Sequence, residues 1–181
     1  MINFEEIELN ALNAVNKNCF PYEEAALYNT RKVIKAFRKH KVSDYYLKPT
    51  TGYAYSDVGR EKLDLIYADI FHAEAALVRS QFVSGTHALA VALLGVLRQG
   101  DEIISATGTP YDTMQTIIGF PVKTPGSLVD IGVSYKEVPM SGSKVAIKEL
   151  QSDVKKKTRM VLIQRSCGYS DARKTLTVAA I

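Results

Sequence analysis

The amino-acid sequence predicts an α/β protein with a three-layer, mainly parallel sheet, preceded by N-terminal helices. From residue 75 onward, strand-like and helix-like segments alternate along the chain, and this rhythm is typical of a parallel sheet flanked by helices. Before residue 72, apolar residues recur at helical spacing. Apolar residues make up 46% of the 181 residues and charged residues 23%, as in ordinary globular proteins.

The N-terminal segment predicts two amphipathic helices. The apolar stripe of the first contains Phe4, Ile7, Leu9, Leu12 and Val15. Pro21 is expected near the start of the second helix, where its missing N–H does no harm. That helix ends on a basic run at 38–41, as its dipole favours. A Thr-, Gly- and Tyr-rich loop at 48–59 follows, and then a helix at 60–71. We expect strands at 75–82, 102–106, 133–138 and 160–164, and helices at 85–98, 111–118 and 145–154.

The sharpest local feature lies where the first predicted strand gives way to a helix, at Ser84-Gly85-Thr86-His87. Gly85 permits close approach to the backbone, and Ser84 or Thr86 can cap the helix. The amides of Thr86 and His87 are expected to be unpaired at a helix N-terminus, which favours phosphate binding. The alternative is a capped helix with no ligand. The segment is neither a Walker loop nor a GxGxxG dinucleotide motif.

Two further loops should meet the first at the carboxyl edge of the sheet. In the loop at 107–113, Tyr111 could stack on a flat ligand or simply cover a helix end. In the loop at 164–170, Arg165 could grip a phosphate or carboxylate. Cys167 lacks a neighbouring histidine and is not expected to be a nucleophile. An anion nest, an aromatic plate and an arginine together suit pyridoxal phosphate.

Charge and cysteine usage exclude several classes of protein. The formal net charge of +4 is spread along the chain, and its densest cluster, at 155–159, is expected to be a solvated helix end. We therefore expect no nucleic-acid partner. Two distant cysteines give no zinc or redox motif. No apolar run is long enough for a membrane span, and no signal peptide is evident, so we expect a cytoplasmic protein.

Several short motifs occur in a specific order: GYAYSDVGRE at 52–61, YADIF at 67–71, AEAALVR at 73–79, SGTHA at 84–88 and GTPYDT at 108–113. This succession resembles the aluminium-resistance protein family, which is similar to methionine γ-lyases and cystathionine β-lyases. The resemblance covers nearly the whole chain. It implies a pyridoxal-phosphate enzyme of the aspartate-aminotransferase fold, of which this chain would be the N-terminal part. Residues 1–58 would form a helical arm and dimer-contact loop, and 59–181 the first part of the cofactor-binding major domain.

The resemblance also implies roles for individual residues. Gly85 and Thr86 would hold the cofactor phosphate with their amides, with Ser84 and His87 beside them, and Tyr111 would stack on the pyridine ring. Tyr53 or Tyr55 would reach a neighbouring subunit's cofactor in a homodimer or homotetramer. The sulfur-amino-acid lyases carry an arginine two residues after such a tyrosine, whereas Asp57 stands there in this sequence and Arg60 follows later.

The functional expectation is a carbon–sulfur lyase acting on sulfur amino acids. The lysine that attaches the cofactor is expected beyond Ile181, because family members are about twice as long. Lys144 lies in a Gly/Ser loop at the other edge of the sheet, and we interpret it as solvated. The rival hypothesis is a non-catalytic α/β module that binds a phosphorylated metabolite or a partner protein.

Overall fold

The computed structural model describes residues 3–50, 57–166 and 175–178. Two compact units divide the chain, Met1–Ser80 and Gln81–Ile181. The boundary predicted between residues 58 and 59 falls inside a helix of the first unit. As a division of the full-length protein it stays a prediction.

The first unit begins with α1, a helix that runs unbroken over Phe4–Lys39. Asn3 caps it by accepting a hydrogen bond from the Glu6 amide at 3.4 Å. The expectation of two separate helices was wrong, because Pro21 lies inside the helix and does not begin a new one. A proline removes one backbone donor from a helix, and the helical periodicity on both sides outweighs that loss here.

A short 3₁₀ helix, Asp44–Leu47, leads from α1 toward the second helix, α2, at Val58–Phe71. Asp57 caps α2 by accepting from the Arg60 amide at 3.2 Å. The end of α1 packs on α2, where Ala36 and Ile66 are buried. Lys39 Nζ lies 2.7 Å from Asp69 Oδ1 across this contact. The first unit is thus a helical pair joined by apolar and ionic contacts.

The second unit alternates helices and strands, as the sequence predicts. Its elements are α3 (Gly85–Val96), β1 (Glu102–Ser105), α4 (Asp112–Ile118), β2 (Ser134–Glu137), α5 (Ile147–Asp153) and β3 (Thr158–Leu162). The strands pair in parallel in the order β2-β1-β3. Parallel pairing gathers the loops that follow the three strands at one edge of the sheet.

The central strand, β1, is buried along its whole length. Ile103 packs with residues of α3 and α4 in the largest apolar cluster, and Ile104 packs on the other side with Val138 and Ala146. At the amino end of β1, Glu102 is also buried, but Lys157 Nζ lies 3.0 Å from its carboxylate. The hydrogen bond from Lys157 holds the pKa of Glu102 below its usual value, against the effect of burial. The buried carboxylate is therefore compensated.

The strand expected at 75–82 is not present, and the part of the sheet that the structure describes has three strands rather than four. The carboxylate of Asp64, in α2, accepts hydrogen bonds from this segment. Its Oδ1 accepts from the Val78 amide at 2.8 Å and from Arg79 Nη1 at 2.7 Å. A strand needs a neighbouring strand to pair with, and here a side chain serves in its place.

Helix α4 ends at Gly119, whose φ of +83° is left-handed. A side chain at this position would collide with Ser127, because a Cβ built on Gly119 lies 2.7 Å from Ser127 Cβ. Ser127 cannot retreat easily, since the next two amides donate to α4 carbonyls, Leu128 to Ile117 at 3.0 Å and Val129 to Ile118 at 2.9 Å. Gly119 is therefore required by both backbone conformation and space.

No helix in the described ranges combines the length and apolar character needed to cross a bilayer. The 36 residues of α1 would be long enough, but they include many charged side chains. Location in the cytoplasm stays a prediction.

Candidate functional site

The start of α3 is the capped helix N-terminus that the sequence predicts. Ser84 is the N-cap, and its Oγ accepts a hydrogen bond from the His87 amide at 3.0 Å. The Ala88 amide donates to the Ser84 carbonyl at 3.1 Å. Within the described ranges, the amides of Gly85 and Thr86 have no acceptor. The expectation that the His87 amide is unpaired was therefore wrong, and the available pair is Gly85 and Thr86.

The same helix start is open in its own unit. Ser84, Gly85 and His87 are exposed, and a Cβ built on Gly85 meets nothing within 4 Å. The first turn of α3 contains no acidic side chain, so no carboxylate of this turn competes for the positive end of the helix dipole. The geometry suits an anion bound by two backbone amides.

The His87 side chain turns back toward the segment that leads into α3. Its Nδ1 accepts a hydrogen bond from the Val83 amide at 3.4 Å, and its ring meets the Phe82 ring edge-on with centroids 5.8 Å apart. Through these two contacts, the imidazole holds the segment that leads into α3.

Tyr111 lies at the start of the neighbouring helix. It is the N-cap residue of α4, and the first turns of α3 and α4 are adjacent because the hydroxyls of Thr86 and Thr113 lie 3.4 Å apart. Tyr111 is half-buried and packs against the apolar cluster around Ile103. An open anion position and an aromatic ring therefore occupy the starts of two neighbouring helices. This pair fits a planar ring that carries a phosphate.

Gln164, just after β3, connects these loops, and our sequence reasoning gave it no role. Its Oε1 accepts from the Tyr111 amide at 3.2 Å, its own amide donates to Thr107 Oγ1 at 3.1 Å, and its Nε2 donates to the Ser166 carbonyl at 2.8 Å. The available signal was a polar residue at the end of the apolar strand predicted at 160–164. Gln164 holds Tyr111 in position by fixing the start of α4.

Replacing Gln164 with leucine should lower the free energy of unfolding by about 1–3 kcal/mol, since the Tyr111 amide would lose its acceptor in a partly buried place. Urea denaturation measures this change. The Gln164→Glu variant keeps an acceptor oxygen and should lose less. Equal losses in both variants would show that Gln164 does not act through this hydrogen bond.

Two hydrogen bonds join Arg165 to the segment 175–178. Arg165 Nε donates to the Leu176 carbonyl at 3.1 Å, and the Leu176 amide donates to the Arg165 carbonyl at 2.8 Å. Leu176 is buried against Ala106 and Val145. Arg165 thus supports the loop after β3, and its predicted contact with a ligand stays a prediction. Tyr53, Tyr55 and Cys167 lie outside the described residues.

A chain of hydrogen bonds fixes the loop between β1 and Tyr111. Glu137, at the end of β2, accepts from Thr109 Oγ1 at 2.9 Å and from the Tyr135 hydroxyl at 2.8 Å. Burial is the main reason why the pKa of Tyr135 is raised well above its usual value, and the hydrogen bond to Glu137 raises it further. Tyr135 therefore stays protonated and serves as a donor.

The structure also describes the remaining candidates. Lys144 is exposed in a turn closed by backbone hydrogen bonds with Ser141, ahead of α5, in agreement with its interpretation as solvated. The expectation that it lies at the other edge of the sheet was wrong, because this turn belongs to the loop after β2, which lies at the same carboxyl edge as the loops after β1 and β3. In the part of the chain that the structure describes, no group of three or more His, Cys, Asp or Glu side chains could hold a metal ion. Arg60 lies in the first unit, with its Nη2 3.7 Å from Asp57 Oδ2.

The chain is similar in sequence to a known protein family and to known proteins. Residues 4–181 match the family model described as methionine gamma-lyase. The uncharacterised protein YnbB of Bacillus subtilis (strain 168) is 45% identical over 151 residues, which are 82% of this chain and 36% of YnbB.

Solved structures agree. A protein of Clostridium acetobutylicum, provisionally named a cystathionine beta-lyase involved in aluminum resistance, is 43% identical, with a TM-score of 0.88 over 99% of this chain and 44% of its own. A protein of Listeria innocua with the same provisional name is 39% identical, with a TM-score of 0.91 over 99% of this chain and 44% of its own.

This chain therefore spans less than half the length of these relatives. The match covers nearly all of its residues, and the fold is the one that the sequence predicts, an incomplete α/β domain of the pyridoxal-phosphate transferase type. On this basis, the chain belongs to the methionine gamma-lyase family and resembles its aluminium-resistance members.

Proposed function

We propose that the full-length protein is a pyridoxal-phosphate-dependent carbon–sulfur lyase that acts on sulfur amino acids such as cystathionine or methionine. The observation that carries the proposal is the open start of α3 beside Tyr111. Two relatives of known structure bear the provisional name cystathionine beta-lyase, which supports this reaction class.

The residues of this chain would bind and orient the cofactor. The amides of Gly85 and Thr86 would hold its phosphate, and the positive end of the α3 dipole would add to the attraction. Tyr111 would cover one face of the pyridine ring, and Gln164 would keep the start of α4 in place. When bound, pyridoxal phosphate supplies the electron sink that an elimination from a sulfur amino acid needs.

The lysine that attaches the cofactor and the groups that transfer protons are proposed to lie in the remaining part of the full-length protein. Self-association as a dimer or tetramer belongs to the same proposal. Apolar side chains on the first half of α1 support it, since Phe4 is 76% exposed and Val15 54% exposed. Size-exclusion chromatography of the full-length protein tests this point.

Thiol release tests the lyase. Full-length protein with added pyridoxal phosphate should release a thiol from cystathionine or methionine at an enzymatic rate, measured with a thiol reagent. The 181-residue chain alone should release little or none. Cofactor binding without thiol release from a panel of sulfur amino acids would contradict the lyase. It would favour the rival hypothesis, a non-catalytic module that binds a phosphorylated metabolite.

A further inference from the structure

A positively charged groove in the first unit has no role in the proposed lyase. Its volume is about 510 Å³, within the range of small-molecule sites, which is roughly 300–1,000 Å³. Four cations of α1 line it, together with two residues at the end of α2. They are Arg31, Lys32, Lys35 and Lys39 of α1, and Asp69 and His72 of the α2 end. We call this feature the basic groove.

The cations of the basic groove are poorly compensated. Asp69 is the one carboxylate that lines it, and Lys39 and His40 already hold both its oxygens. The hydrogen bond from Lys39 is the main reason why the pKa of Asp69 lies below its usual value, and the hydrogen bond with His40 lowers it further. Across residues 3–50, 57–166 and 175–178, Arg31, Lys32 and Lys35 have no ion-pair partner.

The helix dipole does not account for these cations. The negative end of a helix favours basic residues mainly in its last turn, which here contains Arg38 and Lys39. Arg31 lies two turns earlier. Positions 31, 35 and 39 repeat every four residues and share one side of α1, and like charges at this spacing repel one another. A bound anion would remove that repulsion.

We propose that the basic groove binds a small molecule that carries two or three phosphate groups. The cations extend from Arg31 to Lys39 of α1, a rise of about 12 Å at 1.5 Å per residue, and α2 closes the groove on one side. A short polyphosphate matches this length better than a long polymer. The Arg31 guanidinium can hold phosphate oxygens in a two-pronged grip, and the lysines add point charges.

Titration calorimetry of the full-length protein with inorganic tripolyphosphate tests the proposal, with a Gly85→Asp background to remove any phosphate site at α3. Hydrogen exchange read by mass spectrometry should show protection of peptides that cover 28–39. The Arg31→Gln, Lys32→Gln, Lys35→Gln triple variant should bind at least about tenfold more weakly, because it loses several charge-assisted hydrogen bonds.

The matched control is a Lys148→Gln, Lys155→Gln, Lys156→Gln triple variant. It removes the same charge from exposed positions of the second unit, and its affinity should stay within about twofold of the parent. Equal weakening in both triple variants, or no protection of 28–39, would overturn the proposal. Binding of single-stranded DNA or an acidic peptide that tripolyphosphate fails to displace would overturn it as well. Circular dichroism checks that each variant folds.

Discussion

Replacement of Gly85 by aspartate should abolish binding of pyridoxal phosphate by the full-length protein and leave its fold intact. A carboxylate at this position would stand close to the proposed phosphate. Two unit charges of the same sign repel each other by about 4 kcal/mol at a separation of about 4 Å and an effective dielectric constant of about 20. We therefore expect at least about a 100-fold loss of affinity, measured by spectrophotometric titration with the cofactor.

Folding should survive because the position tolerates a side chain. Gly85 is not among the glycines with positive φ, and the space around its missing Cβ is open. An aspartate in the first turn of a helix is favourable, so the thermal midpoint should hold or rise. The Gly85→Asn variant has the same size without the charge and should lose much less affinity. If the aspartate variant binds the cofactor with an affinity within about threefold of the parent, the phosphate does not bind at this helix start.

Replacement of Gly119 by alanine should destabilise the 181-residue chain by about 2–5 kcal/mol. The left-handed backbone costs an alanine about 1–2 kcal/mol, and the overlap with Ser127 adds about 1–3 kcal/mol. Urea denaturation followed by circular dichroism measures the change in the free energy of unfolding.

Gly126→Ala is the matched control, because Gly126 has a similar φ of +77° but open space around it. Only the backbone cost of about 1–2 kcal/mol should remain there. Gly132→Ala should fall between the two, since its neighbour is the flexible Gln99 side chain. If Gly119→Ala and Gly126→Ala lose the same stability, the contact with Ser127 contributes nothing.

Local features of the sequence predicted most of the second unit. The capped start of α3 follows from Ser84 and Gly85 alone, and the apolar run of β1 marks a central strand. The confirmed helices of this unit begin and end within two residues of their expected ends. Information of this kind is contained in neighbouring residues, and a single sequence displays it.

Other features depend on residues far apart in the chain. Gln164 meets the Tyr111 amide across 53 residues, and no local pattern shows that contact. The segment at 75–82 has the composition of a strand, but Asp64 takes the Val78 amide. The His87 amide is occupied because Ser84 turns its hydroxyl inward, a choice of rotamer that composition does not fix.

The buried carboxylate of Glu102 and its partner Lys157 lie at the amino ends of β1 and β3. The start of α4 follows the carboxyl end of β1, at the opposite edge of the sheet, and the start of α3 lies beside it. The thermal tolerance of this unit can therefore be tuned at one edge and ligand choice at the other, with little interference between them. Substitutions in the loops at one edge can therefore change the proposed cofactor site while the ion pair at the far edge stays intact.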